Sequence, residues 1–317
     1  MKKKTKLMAV VLCLAMFAAM ALGSGSSESG GTKDIVTTNP NKEMTDSQEH
    51  GSETSTAQET SEETTKQDAA NITIEEQVLL NQNGITITAT EYITDSIWGD
   101  GIQLLIENNS DQTVTIGCNA LIVNHYMITD LFVSEVSPGK KANDIIYLSN
   151  AELSAAGIER VGQVEIYFHV YDSTTYDTIF DSDCVTIQTS AFADMDTTPD
   201  DIGTELYNAN GVRIVGKTVD ENSFWGTAIL LYCENTSGRN VGISVEEMSI
   251  NGYMMSPFFS ATVYNGKMAL DEISILSTDL ESNGIDTIED VELKFHIYDA
   301  DSYDTIADSE PITFSAQ

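Results

Sequence analysis

Two copies of one short motif are rich in aspartate, and these aspartates are the best candidates for metal binding in the chain. The motif reads Tyr-Asp-x-x-x-Tyr-Asp-Thr-Ile and begins at Tyr171 and again at Tyr298. Calcium takes six to eight oxygen ligands, and extracellular modules use weak sites of about 10⁻⁴–10⁻³ M. The motif aspartates are therefore candidate ligands of a weak calcium site, and no other cofactor is expected. The residues concerned are Asp172, Asp177, Asp299, Asp301 and Asp304.

A second interpretation of these aspartates needs no metal. Asp172 and Asp299 could bond the backbone of a turn through their own side chains, as Asx turns do. The other aspartates would then stay solvated and keep an exposed strand edge soluble.

Histidine and tyrosine alternate with apolar residues just before each motif. His169 with Tyr171, and His296 with Tyr298, are predicted to share the outer face of a strand and are candidate ligand-binding residues. A zinc or copper site needs three or four ligands, and each copy offers one histidine in this strand. The alternative is a half-exposed cross-strand pair with an aromatic neighbour.

Two tryptophans complete the candidate binding residues. Trp98 and Trp225 are each followed by glycine and precede a predicted strand. An exposed tryptophan there could stack on a sugar ring or anchor a protein partner. The alternative is that each one plugs the open end of a domain.

Motifs of enzyme chemistry are missing from the sequence. There is no Gly-x-Ser-x-Gly elbow, no phosphate-binding glycine loop and no His-Glu-x-x-His helix. The chain is therefore predicted not to be an enzyme, and a hydrolase, which the abundant carboxylates could serve, is the least favoured function.

All these candidate residues lie in a long internal repeat. Residues 83–190 recur as residues 210–317 at a constant offset of 127 without a gap, and about 39 of the 108 aligned pairs are identical. Solenoid and propeller units run roughly 20–50 residues, so a repeat of this length predicts two whole domains.

Within each copy the pattern favours strands. Ile85-Thr86-Ile87-Thr88 alternates with period two, and Asn251-Gly252 between two apolar runs predicts a hairpin. One short helix is expected to be capped by Ser149 or Asn150 and to stop at Gly157, and its copy to be capped by Ser277 or Thr278 and to stop at Gly284. The predicted fold is all-β: two tandem immunoglobulin-like β-sandwich domains, each with one short crossover helix.

Composition divides the rest of the chain. Four lysines followed by an apolar run predict a signal peptide, although a retained membrane anchor is the alternative. The next residues are rich in Ser, Thr and Glu and too polar to form a core. The predicted parts are a signal peptide (1–23), a disordered linker (24–71), a first sandwich (72–190), a linker (191–202) and a second sandwich (203–317).

The charge of the chain excludes one class of partner. It has 15 basic and 50 acidic residues, and a formal net charge of −35 at pH 7. Nucleic-acid affinity comes largely from Lys and Arg, so nucleic-acid binding is excluded, and membrane contact is expected only through an uncleaved N-terminus. Beyond the signal Cys118, Cys184 and Cys233 remain. A bridge between the first two is an open alternative to three free thiols.

The repeat resembles the immunoglobulin-like domains of unknown function in secreted proteins and lipoproteins of Gram-positive bacteria. The resemblance covers residues 83–317 and rests on Asn83-Gly84, the turn Pro138-Gly139-Lys140-Lys141 and the closing Tyr-Asp hairpin. It implies an extracellular or cell-envelope location. A lipoprotein would carry cysteine where this chain has Ser24. The expected function is a secreted or cell-surface binding module for a protein or glycan, and the alternative is a structural spacer without a ligand.

Overall fold

A computed structural model describes residues 32–37, 72–95, 99–223 and 226–316. The fold of these residues is all-β, as predicted, with strands packed as β-sandwiches. The predicted signal peptide and most of the segment 24–71 lie outside the described residues. No helix in the described part of the chain is long and apolar enough to cross a membrane.

The first repeat folds into ten strands and one helix. These are β2 (Gln77–Gln82), β3 (Ile85–Asp95), β4 (Gly99–Asn108), β5 (Val114–Val123), β6 (Tyr126–Ile128), β7 (Ser134–Val136), β8 (Lys140–Leu148), α1 (Asn150–Ala155), β9 (Gln163–Asp172), β10 (Thr178–Asp181) and β11 (Val185–Gln188). Strands β2, β3, β4 and β8 form one sheet, and β5 pairs with β6, β7 and β9 in the other. Strand β9 also pairs with β10 and β11.

The second repeat has the same layout after a 3-10 turn at Phe192–Asp194. Its elements are β12 (Thr204–Ala209), β13 (Val212–Ser223), β14 (Gly226–Asn235), β15 (Val241–Ile250), β16 (Tyr253–Met254), β17 (Ser260–Val263), β18 (Lys267–Leu276), α2 (Ser277–Ser282), β19 (Asp290–Asp299), β20 (Thr305–Asp308) and β21 (Ile312–Ala316). Alternate strand residues fill one apolar core between the sheets of each repeat.

Local sequence signals explain most turns. Asn251 and Gly252 have φ of 49° and 81°, which confirms the predicted hairpin between β15 and β16. Helix α1 begins as predicted, because the Ser149 side chain accepts a hydrogen bond from the Glu152 N–H. The prediction for α2 was wrong in its cap: Leu276 precedes the helix and supplies no side-chain bond.

Two further details differ from expectation. The sequence after the Tyr-Asp motif predicts one strand from Thr178 to Ile187, but the structure divides it into β10 and β11. The cause is Ser182, whose N–H donates to the Phe168 carbonyl while its hydroxyl accepts from the Phe168 N–H. Cys118 and Cys184 do not form the bridge left open by the sequence, since both are free thiols.

A buried asparagine ties the turns of each repeat together. Asn108 is fully buried, and its side-chain amide donates to the carbonyls of Gln112 and Val136 at 2.9 and 2.7 Å. Asn235 makes the matching bonds to Arg239 and Val263 at 2.8 and 2.7 Å. A buried amide is tolerated only when it is bonded, so both copies keep the residue at this position.

The first strand corrects the prediction for the N-terminal segment. Strand β1 (Lys33–Thr37) lies within the segment that was predicted to be disordered, and it pairs antiparallel with both β13 and β21. Its central residue Ile35 is 4% exposed and belongs to the core of the second repeat. Because β1 bridges the two sheets, it closes one side of that sandwich.

The two repeats also contact each other directly. Strands β6 and β18 pair in parallel, and the Met268 N–H donates to the His125 carbonyl at 3.0 Å. A small apolar cluster fills the contact. It consists of Tyr126, Ala156, Val215, Tyr232 and Met268.

An ion pair beside this cluster joins the repeats. The Lys267 ammonium lies 2.7 Å from both carboxylate oxygens of Glu165, and the two side chains are 13% and 8% exposed. Burial raises the pKa of Glu165, but the hydrogen bonds and charge of Lys267 outweigh it and leave that pKa below its ordinary value. Lys267 is therefore the ammonium partner of a charged Glu165, which also accepts a hydrogen bond from the Gln163 side chain at 2.8 Å.

Replacement of Ile35 tests whether β1 is part of the folded second repeat. Ile35→Ala should reduce the free energy of unfolding by about 2–4 kcal/mol, because a buried isoleucine leaves a cavity. Val36→Ala is the matched control, since Val36 is 42% exposed on the same strand and should change stability by less than about 0.5 kcal/mol. Urea unfolding measures both, and equal effects would contradict the assignment of Ile35 to the core.

Replacement of Lys267 tests the ion pair between the repeats. Lys267→Ala should cost about 3–5 kcal/mol at neutral pH, because it removes the ammonium that neutralises the buried Glu165 carboxylate. Lys140, the exposed residue at the same position of the first repeat, provides the control variant Lys140→Ala, which should have little effect. A lowered pKa stabilises the fold above the ordinary value of 4.5, so the gap between wild type and variant should shrink as pH falls below it. A gap independent of pH would show that the carboxylate is not the origin of the loss.

Candidate functional site

The structure brings the predicted histidines and tyrosines together on the outer faces of β9 and β19. The ring centroids of His169 and Tyr171 lie 5.3 Å apart, and those of His296 and Tyr298 lie 5.5 Å apart. Trp98 and Trp225, which were predicted to bind a ligand or close the sandwich, lie outside the described residues.

A third ring extends each pair into a row. Tyr176 follows Tyr171 with centroids 6.2 Å apart and planes inclined by 26°, and Tyr303 follows Tyr298 at 6.1 Å and 17°. We call the rows His169–Tyr171–Tyr176 and His296–Tyr298–Tyr303 the aromatic rows. Tyr176 and Tyr303, which sequence reasoning missed as binding residues, are 63% and 68% exposed. Their signal was the recurrence of Tyr-Asp-Thr-Ile at the repeat offset.

Each terminal tyrosine stands in a strained backbone conformation. Tyr176 has φ of 59° and Tyr303 has φ of 63°. This left-handed region costs a non-glycine residue roughly 1–2 kcal/mol and is uncommon for bulky side chains. Both repeats keep a tyrosine where glycine would fold more easily, and such strain concentrates at functional positions.

The turn that holds Tyr176 is built by Asp172. One carboxylate oxygen of Asp172 accepts hydrogen bonds from the N–H groups of Thr174 and Thr175, both at 2.8 Å. The Asp172 carbonyl accepts from the Tyr176 N–H at 2.9 Å. The hydrogen bonds from Thr175 and then Thr174 to the carboxylate hold the pKa of Asp172 below its ordinary value.

Asp299 builds the same turn in the second repeat. Its carboxylate accepts from the N–H groups of Asp301 and Ser302 at 3.1 and 3.0 Å, and the Arg239 guanidinium lies 3.5 Å from its other oxygen. The bond from Ser302 is the largest influence that lowers the Asp299 pKa. Both aspartates therefore use their side chains on the turn, as the second interpretation of the sequence expected.

The proposed calcium ligands are not gathered into one site. Among the described residues, the one group of three side chains close enough to share a metal ion is Glu246, His296 and Asp308, whose ligand atoms lie within 4.8 Å of one another. It contains none of the five aspartates named for calcium, and it offers fewer oxygens than calcium takes. The calcium prediction gains no support from this geometry.

Each histidine is paired with an aspartate across the sheet. The His169 Nδ1 lies 2.6 Å from a carboxylate oxygen of Asp181, its direct neighbour on β10. His296 and Asp308 repeat the contact at 2.6 Å. Asn119 also donates to Asp181 at 2.8 Å. The carboxylate thus holds the imidazole in place, and each aromatic row has an aspartate at its histidine end.

The two rows differ in what lies beneath and beside them. In the second repeat the Tyr298 ring lies directly over Gly242. A larger residue would not fit there, since a Cβ at this position would lie 2.2 Å from the ring. In the first repeat Thr115 occupies the matching position and bonds Ser173 at 2.7 Å. The face of β9 also continues into the contact between the repeats, where Tyr167 meets Tyr264 edge-on at 4.9 Å.

Comparison with known proteins adds little to this geometry. No family model matches the chain, and no curated protein does. The resemblance to immunoglobulin-like domains of Gram-positive bacteria therefore remains a prediction.

Several solved structures are distantly similar. The Salmonella enterica SafA pilin in complex with the SafB chaperone has 9% identity and a TM-score of 0.23, with 74% of this chain and 98% of that chain covered. An Amycolatopsis orientalis exo-chitosanase has 12% identity and a TM-score of 0.23, with 72% and 26% covered. A Porphyromonas gingivalis protein of unknown function has 9% identity and a TM-score of 0.18, with 68% and 89% covered. Likeness at these scores carries no functional argument.

The strain at Tyr176 can be measured with two variants that both lose the ring. Tyr176→Gly should be more stable than Tyr176→Ala by about 0.5–1 kcal/mol, because glycine adopts the positive φ without a steric penalty. Urea unfolding of the two proteins gives the difference. An alanine variant as stable as the glycine variant would mean that the backbone at this position is not strained.

Proposed function

We propose that this chain is an exported, non-catalytic binding module for a protein partner. Its two aromatic rows would bind positively charged side chains of that partner. The observation that supports this most directly is the pair of strained, exposed tyrosines, Tyr176 and Tyr303, kept in both repeats. Proteins keep strained backbone positions at sites where function requires them. Export rests on the sequence of residues 1–23.

The charge around the rows favours a cationic partner. Asp172, Asp177 and Asp181 belong to the hairpin of the first row, and Asp299, Asp301 and Asp304 to that of the second. The whole chain has a formal net charge of −35. A field of one sign attracts partners of the opposite sign and raises their association rate.

The exposed rings supply the second part of recognition. A lysine or arginine side chain over a tyrosine face gains about 0.5–1 kcal/mol at an exposed site. Arginine also stacks its planar guanidinium on such rings and can bond a carboxylate at the same time. A row of two tyrosines that begins at an Asp–His pair offers both kinds of contact.

Two equivalent sites strengthen weak binding. Each row by itself is shallow and exposed, so we expect modest affinity at one site. If one partner reaches both rows, the second contact becomes intramolecular, and avidity can exceed the single-site affinity by about 10²–10⁴. In this proposal the duplicated domain serves to raise the overall affinity for a partner that contacts both rows.

The proposal predicts that the tyrosines contribute to binding of a basic peptide. Isothermal titration calorimetry with an arginine-rich peptide should show an affinity reduced about two- to fivefold by Tyr176→Ala or by Tyr303→Ala, in line with 0.5–1 kcal/mol per ring. The double variant should lose more than either single one. Tyr253→Ala is the matched control, because Tyr253 is 50% exposed but lies outside the rows.

The same measurement separates the alternatives. Binding should weaken strongly between about 0.05 M and about 0.5 M salt, because exposed charges are screened. Peptide affinity that is equal in all three tyrosine variants would reject the role of the rows. Binding of neutral oligosaccharides that requires Tyr176 and resists salt would favour a glycan partner instead, and no binding to either probe would favour a structural spacer.

A further inference from the structure

Strand β1 pairs with the last strand of the second repeat. In the first repeat, residues directly before its own β2 make the matching pairing. In the first repeat Ile74, directly before β2, forms a bridge with Thr189. In the second repeat Ile35 pairs with Ala316, which is the counterpart of Thr189 at the offset of 127. A segment far away in sequence therefore completes the second sandwich.

The second repeat cannot use its own adjacent residues for this purpose. Asp201 stands where the first repeat has Ile74. The Asp201 carboxylate binds the Arg213 guanidinium at 2.7 Å, and the Asp200 carboxylate lies 3.0 Å from the Lys217 ammonium. The Asp200 N–H also donates to the Tyr126 hydroxyl at 3.0 Å. These residues connect the two repeats, and a charged side chain would not enter the core.

The second repeat thus presents a groove for one strand, which we call the β1 groove. It is bounded by β13 and β21, and its floor receives Ile35 against Leu206 and Gly216. Lys33 closes one end through Glu221 at 2.9 Å, and Thr204 donates to the Ile35 carbonyl. Backbone pairing and one apolar pocket recognise the strand, so any copy of the same segment fits equally well.

We propose that the β1 groove also accepts β1 from a second copy of this chain, so that the protein forms strand-exchanged dimers or longer assemblies. The polar residues 38–71, 34 in number, separate β1 from the first repeat. At about 3.4 Å per residue they can reach about 115 Å, several times the roughly 30 Å width of a small domain. The strand can therefore reach its own groove or that of a neighbour.

Concentration decides between the two arrangements. The contacts of β1 are the same within one chain and between two chains, so the intramolecular form is favoured only by its effective concentration, which is on the order of millimolar for a tethered segment. Exchange of an identical element is a low-cost route to assembly. Crowding of many copies on one surface would bring the exchanged form within reach.

Directed disulfides test the exchange. Asp34 and Thr218 are direct antiparallel partners, exposed and half-buried, at a spacing that a disulfide can bridge. Full-length Asp34→Cys and Thr218→Cys proteins of different mass are prepared with Cys13 and Cys184 changed to Ser. They are mixed, unfolded, refolded together and oxidised at about 1 μM and about 1 mM. The double variant Asp34→Cys/Thr218→Cys is the control.

We expect the double variant to close within one chain at the lower concentration, and to give both closed monomers and disulfide-linked dimers at the higher one. The mixture should give a disulfide-linked heterodimer at the higher concentration, at least tenfold more abundant than at the lower one, while each single variant alone gives none. Closure of the double variant without a heterodimer would overturn the exchange and keep β1 as an intramolecular strand. Failure of the double variant to close would overturn both, and neither outcome affects the proposed role of the tyrosines.

Discussion

Buried backbone groups must be hydrogen-bonded, and this constraint governs the arrangement of the second sandwich. The chain enters that sandwich through a linker held by Arg213 and Lys217, so the linker cannot pair with β21. Strand β1 supplies the missing pairing instead. The N-terminal segment and the C-terminal repeat thereby become one folded unit, although more than 160 residues lie between them.

The same comparison of the repeats explains the contact between them. Positions that match at the offset of 127 are mostly core residues, turns and the buried asparagines, which any sandwich of this layout needs. Some positions at the interface differ between the copies: Tyr264 is matched by Ser137, Met268 by Lys141 and Tyr167 by Lys294. Others are identical, since Lys267, Glu165 and Tyr126 are matched by Lys140, Glu292 and Tyr253. At each of the three positions that differ, the counterpart in the other repeat is a polar residue. The contact between the repeats therefore combines residues that have diverged with residues that both copies share, whereas the aromatic rows are identical in both copies.

The sequence predicted the features that depend on local chemistry. The repeat, the alternating strands, the Asn-Gly hairpin and the helix that begins after Ser149 follow from neighbouring residues, and the structure shows them. Strand β1 was missed because it is one short apolar stretch, Ile35-Val36, in a polar segment. Its stability comes from a groove whose nearest residue in sequence, Thr204, is 169 residues from Ile35, and no local pattern indicates that. The Lys267–Glu165 pair was missed for the same reason.

The candidate site was predicted in part, and the missing part has a physical cause. Alternation placed His169 and Tyr171 on one outer face, which the structure shows. Tyr176 follows them only because the Asx turn at Asp172 forces the chain into the left-handed region and returns the ring to the row. That conformation is unfavourable for tyrosine, so propensity gave no reason to expect it. The same residue stands at this position in both copies, exposed and stacked, although its backbone conformation is unfavourable. In the proposed function a partner touches this ring, and the hairpin tips are then the part of the fold where binding and stability oppose each other.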